Sequence, residues 1–223
     1  MLAEDIRRGS VALLERPAIG HFLVHRARHG SSRERTHAAL ATGIALRDAP
    51  MSSRPAAVFR HEAHTMLAWG VRSARGADDV VAAYVAGAGL ARAESARAHL
   101  LDILRDDSRQ PILRSHVARA LGALGRADPK TIFALRTAAK ERLWAQVHLS
   151  ATRALSALGA GEACDDLLEQ LKGDATRGAM VAVAWSVGRF GNPKAADRLV
   201  ALAREEGAGI YVRSISIVAM GQL

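Results

Sequence analysis

The residues that come closest to a catalytic pattern are His61, Glu62 and His64, a His-Glu pair followed closely by a second histidine. A zinc-protease helix needs His-Glu-x-x-His, because that spacing puts two imidazole ligands one turn apart with a carboxylate base between them. A two-metal centre needs several carboxylate and imidazole ligands that converge in space. The chain has a single His-Glu pair. These three residues are therefore weak metal candidates, and the sequence predicts no metal site.

A second set of imidazoles, His21, His25 and His29, recurs every fourth residue and shares one face of a predicted helix. No cysteine or acid at a matching spacing joins them, and nearby arginines would repel a cation, so the pattern favours a solvated basic face. Cys164 is the only cysteine, which excludes an intramolecular disulfide, and no histidine lies near it in the sequence. The chain is therefore predicted to be no enzyme and to need no cofactor.

The composition favours packed helices. Hydrophobic residues make up 49% of the 223 residues but aromatic residues only 4%. Alanine dominates the apolar set; it is the best helix former and lets helices approach closely. No segment offers the roughly eighteen consecutive apolar residues of a membrane-spanning helix, and the N-terminus lacks a signal-peptide core. The sequence thus predicts a soluble cytoplasmic protein with no membrane association.

The charge is strongly basic and uneven. Net charge is +9, and residues 1–75 hold twelve arginines against six acids. A basic surface can attract nucleic acid, anionic lipid or an acidic protein. Arginine and alanine enrichment is also typical of a GC-rich genome, so a functional and a compositional origin of the charge both stay open.

The chain contains an internal repeat of about 33 residues. Five similar segments are marked by the anchor residues Ala88, Leu121, Leu155, Val187 and Met220. Eight positions before the anchors, every residue is apolar: Val80, Leu113, Val147, Ala179 and Val212. Twelve positions after the first four anchors lie Leu100, Phe133, Leu167 and Leu199. This periodicity predicts stacked helical hairpins, each too small to bury its apolar face alone.

Each repeat is predicted to hold two helices, and the anchor lies in the second. Gly125, Gly159 and Gly191 follow the last apolar residue of a second helix, where a left-handed cap needs no Cβ. Asp128-Pro129 and Asn192-Pro193 then supply a capping side chain and a proline for the next helix start.

These repeats resemble a known family. Leu113-Arg114, then Ala118, then the run Ala-Leu-Gly-Ala-Leu-Gly at residues 120–125 resembles the HEAT-like repeat first described in phycobilisome lyases, and residues 212–221 match it too. The resemblance covers residues 77–223 and implies an all-α fold, a right-handed α-solenoid. His148 and Met180 depart from it by standing at the arginine position of two repeats.

The family includes scaffolds, lyases and other enzymes, so the resemblance is nearly silent on function. Residues 60–63 are also similar to the Arg-His-Glu-Ala stretch of deoxyhypusine hydroxylase, a HEAT-repeat di-iron enzyme that uses several His-Glu pairs. A metal-dependent or lyase-type enzyme therefore remains a remote alternative.

The N-terminal third is less regular. A second helix is expected around Thr42, yet Thr42 and Ala88 are 46 residues apart. Residues 48–55 read as a loop and residues 56–72 as a long helix. We therefore expect one continuous solenoid over residues 1–223, irregular at 1–76 and regular at 77–223. It is expected to stop mid-array, so that further repeats of a parent chain or end-to-end association would cover the last helix.

The candidate binding residues lie on the second helices, which usually line the concave side of such solenoids. Two positions before the anchors stand Ala86, Arg119, Arg153, Trp185 and Val218, the second-helix column. Arg114 and Arg213 stand seven positions before their anchors. Arginine and tryptophan are enriched at interface hot spots. The alternative that stays open is that Trp185 is partly core and that these arginines pair with acids of neighbouring helices. The sequence predicts a non-catalytic scaffold for an acidic protein or peptide; the alternative is nucleic-acid binding in an arginine-lined groove.

Overall fold

The computed structural model describes residues 17–47, 54–73, 78–141, 143–170, 177–191 and 195–223. Within these ranges all regular secondary structure is helical, which confirms the all-α prediction. None of the described helices combines the length and the apolar character needed to cross a membrane. The chain divides into two compact units, Met1–Leu124 and Gly125–Leu223. One continuous array along the whole chain stays a prediction.

Unit 1 contains six described helices arranged as three consecutive pairs. Their bounds are α1 Pro17–His29, α2 Ser32–Arg47, α3 Arg54–Ser73, α4 Asp78–Leu90, α5 Arg97–Arg105 and α6 Pro111–Leu124. Each odd-numbered helix packs on the next helix in the chain. The second helices α2, α4 and α6 also pack in order, as do the first helices α1, α3 and α5.

Unit 2 has the same order of contacts among its second helices. Its helices are α7 Pro129–Ala138, α8 Ala145–Ala157, α9 Cys164–Gln170, α10 Arg177–Arg189, α11 Ala196–Arg204 and α12 Gly209–Met220. They pair as α7–α8, α9–α10 and α11–α12, and α8, α10 and α12 pack in order. Short 3₁₀ turns at Gly161–Ala163 and Glu206–Ala208 precede α9 and α12.

The second helices of unit 1 meet at glycines. A Cβ built on Gly43 would lie 2.6 Å from the Cα of Gly87, and one on Gly89 would lie 2.9 Å from the Cα of Ala120. Thr42 takes the place of the anchor in α2. In both contacts, the residue that follows one anchor lies against the residue that precedes the next anchor. The 46-residue spacing is accommodated because α3 has 20 residues and α5 only nine.

The predicted left-handed caps are confirmed. Gly125, Gly159 and Gly191 have φ values of +74°, +65° and +62°. Arg92, at the equivalent position after α4, is the one described non-glycine residue with positive φ, at +51°. The amide of Ala93 donates to the carbonyl of Ala88 at 2.9 Å, the six-to-one bond of a Schellman cap. The local turn therefore persists where arginine replaces glycine.

Two helix starts and one core position test the sequence in detail. The Asp128 side chain accepts from the amides of Lys130 and Thr131, so the predicted cap of α7 is confirmed; residues 192–194 lie outside the described ranges. The predicted loop at 48–55 is wrong at its end, since α3 begins at Arg54 and proline fits a first turn. Leu100, Leu167 and Leu199 are buried, but Phe133 is 68% exposed. Ile132 and Leu135 are the large side chains that α7 buries instead.

Candidate binding surfaces

The second-helix column of unit 2 runs across three helices that pack in order. Arg153 on α8 is exposed, Trp185 on α10 is half-buried and Val218 on α12 is 52% exposed. The residue that follows each of them, namely Ala154, Ser186 and Ala219, is buried. The column thus lies beside the contact between neighbouring second helices, and its side chains remain at least partly accessible to solvent.

Trp185 carries a cation on its ring. The guanidinium carbon of Arg189, one turn later on α10, lies 4.9 Å from the centroid of the Trp185 ring. This distance is within the range of a cation–π interaction. Arg189 is exposed, so the pair presents an aromatic group and a positive charge together. Arg153 forms no hydrogen bond or ion pair with any described residue.

In unit 1 the column residue Arg119 is exposed on α6. Its guanidinium donates to Nδ1 of His116, one turn earlier. Burial, and then the charge of Arg119, lower the pKa of His116. A neutral His116 adds no charge of its own, and among the described residues Arg119 has no acidic partner. No described residue therefore balances the positive charge of Arg119.

Arg114 lies inside unit 1 rather than on an open surface. The side chain is 5% exposed, and Nε donates to the carbonyl oxygen of Leu104 at 3.0 Å, near the end of α5. A terminal nitrogen lies 2.9 Å from a carboxylate oxygen of Asp107. Arg114 therefore ties the end of one helix of a hairpin to the other, and these contacts assign it to the fold.

His148 occupies the position of Arg114 in the next repeat and makes the matching contact. It is buried, and Nδ1 lies 2.7 Å from the carbonyl oxygen of Ala139 at the end of α7. A carbonyl oxygen only accepts, so Nδ1 carries the proton. Burial lowers the pKa of His148 and outweighs the raising effect of this bond. Arg213, at the same position in the last repeat, is half-buried, and its buried Nε has no acceptor among the described residues.

The metal candidates do not converge. His64 Nε2 lies 3.0 Å from the carbonyl oxygen of Ala91, and burial lowers the pKa of His64. Glu62 lies 3.2 Å from Nδ1 of His21 on α1. Within the described ranges no three His, Cys, Asp or Glu side chains are grouped to hold a metal ion. His61 is exposed, whereas His64 and Glu62 make contacts with neighbouring elements instead.

Sequence reasoning missed a cleft of about 500 Å³ in unit 1. It is lined by α1, α3, the 3₁₀ turn Glu94–Ala96 and α5, and no acidic residue is among its described lining residues. This basic cleft is defined by Arg28, His29, Thr65, Ala68, Trp69, Arg72, Ser95 and His99. The arginine excess of residues 1–75 was the available signal, but it could not show which arginines share a site.

Comparison with known proteins gives no further assignment: no protein-family model matches the chain, and no curated protein is significantly similar to it in sequence. The resemblance to HEAT-like repeats therefore rests on the motif residues alone.

Proposed function

We propose that this chain is a non-catalytic binding scaffold, a HEAT-like α-solenoid whose second helices take up an acidic protein or peptide. The order in which the helices pack within each unit supports the architecture, because each hairpin packs on the next through its second helix. Stacked hairpins of this type expose one continuous face per layer, which suits an extended partner.

The observation that carries the proposal is the exposure of the second-helix column. Positions on either side of the anchor pack against the next second helix, as at Gly188 and Ala219. The position before this seam holds Arg153 and Trp185, which keep surface free. Because α8, α10 and α12 pack in order, equivalent positions on them form a strip that one partner can contact.

The chemistry of the second-helix column within each unit favours a carboxylate-rich partner. Arg119 and Arg153 lack acidic partners among the described residues, so no described carboxylate neutralises either charge. Arginine binds carboxylates through two parallel hydrogen bonds, and these charge-assisted bonds are stronger than neutral ones. Trp185, with Arg189 against its ring, adds apolar contact area beside a further cation. An acidic segment with interspersed apolar side chains could contact the arginines through its carboxylates and Trp185 through its apolar groups.

A labelled peptide tests this directly. A fluorescein-labelled peptide of about sixteen residues that alternates Glu with Leu and Phe is titrated with the protein, and anisotropy is followed. Arg119→Glu combined with Arg153→Glu should weaken binding at least about tenfold, since each charge-assisted contact contributes roughly 1.5–3 kcal/mol. Helicity by circular dichroism should not change.

The matched control is Arg33→Glu combined with Arg204→Glu. Both arginines are exposed, one in each unit and neither in the column, so net charge changes by the same amount. Equal weakening by the two variants would mean that binding follows net charge alone. A peptide with Gln in place of Glu should bind much less, and equal binding of both peptides would refute the acidic-partner assignment.

Nucleic acid is the second candidate, since the same arginines of the column could contact phosphates. Binding that rests on phosphate contacts weakens steeply as salt rises from about 50 to 200 mM. Tight, salt-sensitive binding of a single-stranded or duplex oligonucleotide that is lost in the Arg119→Glu, Arg153→Glu variant would replace the protein partner. Absence of binding at about 50 mM salt would remove this candidate.

A further inference from the structure

We propose that the basic cleft of unit 1 binds a small organic phosphate of nucleotide size. This site is separate from the second-helix column, because it is lined by the first helices α1, α3 and α5. Its volume of about 500 Å³ lies within the roughly 300–1,000 Å³ typical of small-molecule pockets.

The charge of the cleft favours an anion. Arg28 and Arg72 are exposed at its rim, and neither forms an ion pair or a hydrogen bond with any described residue. His29 and His99 add two imidazoles, and no described acid lines the cleft. A planar guanidinium can donate two parallel hydrogen bonds to a phosphate. Arginines from two different helices therefore line one cleft, where the phosphate of a ligand can accept hydrogen bonds from a guanidinium.

A buried tyrosine holds two walls of the cleft together. Tyr84 on α4 is fully buried, and its hydroxyl donates to the carbonyl oxygen of Ala27, the residue before Arg28. The ring of Trp69 meets the Tyr84 ring at 82° with centroids 6.4 Å apart. Gly70 leaves the space that the Tyr84 ring fills, since a Cβ there would overlap it. One core residue thus fixes the backbone beside Arg28 and the ring of Trp69.

The third wall is fixed by hydrogen bonds between α3 and the segment that follows α4. The Ser95 hydroxyl donates to the carbonyl oxygen of His64 at 3.1 Å, and the His64 ring contacts the carbonyl oxygen of Ala91 at 3.0 Å. These bonds hold the turn that carries Ser95 and leads into α5 with His99. A site whose walls are fixed before binding loses less free energy to ordering than a flexible one.

The remaining lining groups indicate what the phosphate is attached to. Trp69 is half-buried and offers aromatic surface to a planar ring. The hydroxyls of Thr65 and Ser95 donate to the carbonyl oxygens of His61 and His64, so toward a ligand they serve as acceptors for sugar hydroxyl groups. Base–aromatic stacking is a recurring contribution to nucleotide binding. Phosphate, sugar hydroxyls and a base therefore each find a group of suitable chemistry in a space of this size.

The test uses Trp69 as the reporter. In a protein with Trp144→Phe and Trp185→Phe, Trp69 is the only tryptophan. Adenosine monophosphate should quench its fluorescence saturably at low salt. Adenosine and inorganic phosphate should each bind at least about tenfold more weakly, because each lacks one of the two recognised parts.

Arg28→Gln combined with Arg72→Gln should weaken adenosine monophosphate binding at least about tenfold. The matched control, Arg33→Gln with Arg105→Gln, removes two exposed charges of unit 1 outside the cleft and should leave binding unchanged. An equal loss of affinity in both variants would overturn the proposal. So would an affinity for inorganic phosphate that equals the affinity for the nucleotide. Failure of every probe to bind at millimolar concentration would also overturn it. Much tighter binding of a single-stranded oligonucleotide that depends on Arg28 and Arg72 would assign the cleft to nucleic acid instead.

Discussion

Gly188 and Ala219 bring α10 and α12 so close together that a Cβ added to Gly188 would lie 2.7 Å from the Cα of Ala219. Gly89 and Ala120 make the same contact in unit 1. In each case the residue that follows one anchor lies against the residue that precedes the next anchor. Small residues at these positions therefore set how closely neighbouring second helices approach.

Gly188→Ala should destabilise the protein by about 1–3 kcal/mol, because the helices would have to separate to admit a methyl group. Urea unfolding followed by circular dichroism measures the loss. Gly178→Ala is the control in the same helix, since a Cβ there meets nothing within 4 Å; it should be neutral or stabilise by up to about 1 kcal/mol. Equal effects of the two substitutions would contradict the close-contact explanation.

Arg92→Gly should stabilise the protein by about 1 kcal/mol. Arg92 has φ of +51°, and a side chain costs roughly 1–2 kcal/mol in that region while glycine adopts it freely. Gly125→Ala, at the equivalent position with φ of +74°, should destabilise by a similar amount. Thermal unfolding compares them, and a lower melting temperature for Arg92→Gly would show that the arginine side chain makes a compensating contact.

Arg114→Met should cost about 1–3 kcal/mol, because it leaves the Leu104 carbonyl without its donor in a buried place. Asp107→Asn removes only the exposed partner, whose side chain is 86% exposed, and should change stability by less than about 1 kcal/mol. Denaturant unfolding of both variants separates the contributions. A larger effect of Asp107→Asn would mean that the ion pair, rather than the carbonyl contact, holds Arg114.

Stability should fall as pH drops below about 6.5, the ordinary histidine pKa. Burial lowers the pKa of His148 and His64 in the folded state, so the unfolded chain binds protons first and acid favours unfolding. The stabilising contribution is complete above the unfolded pKa and is lost as pH falls toward the lowered folded one. His148 Nε2 is buried without a partner among the described residues, so a proton there finds no acceptor.

His148→Asn keeps a side-chain donor near the Ala139 carbonyl but does not titrate. The free energy of unfolding, measured between pH 7.5 and 5.5, should therefore decline less steeply in this variant than in the wild type. His25→Asn, an exposed change on α1, serves as the comparison. An unchanged slope for His148→Asn would show that another group controls the acid response.

Local physics explains what the sequence by itself determined. The glycine caps at residues 125, 159 and 191 and the cap of Asp128 depend on backbone angles and on hydrogen bonds within a few residues, which a short stretch of chain specifies. The helical periodicity of the repeats is local in the same sense, and it correctly predicted an all-α fold.

Only the tertiary structure decided which of these helical positions face solvent. Arg114 and Arg119 both read as surface arginines on one helix, yet the position of α5 buries the first and leaves the second exposed. Phe133 stands at a repeat position whose equivalents are buried, yet it is exposed because α7 buries Ile132 and Leu135 instead. The basic cleft joins residues from three helices and a turn, so it exists only once those elements have packed; sequence spacing carries no record of such distant side chains meeting.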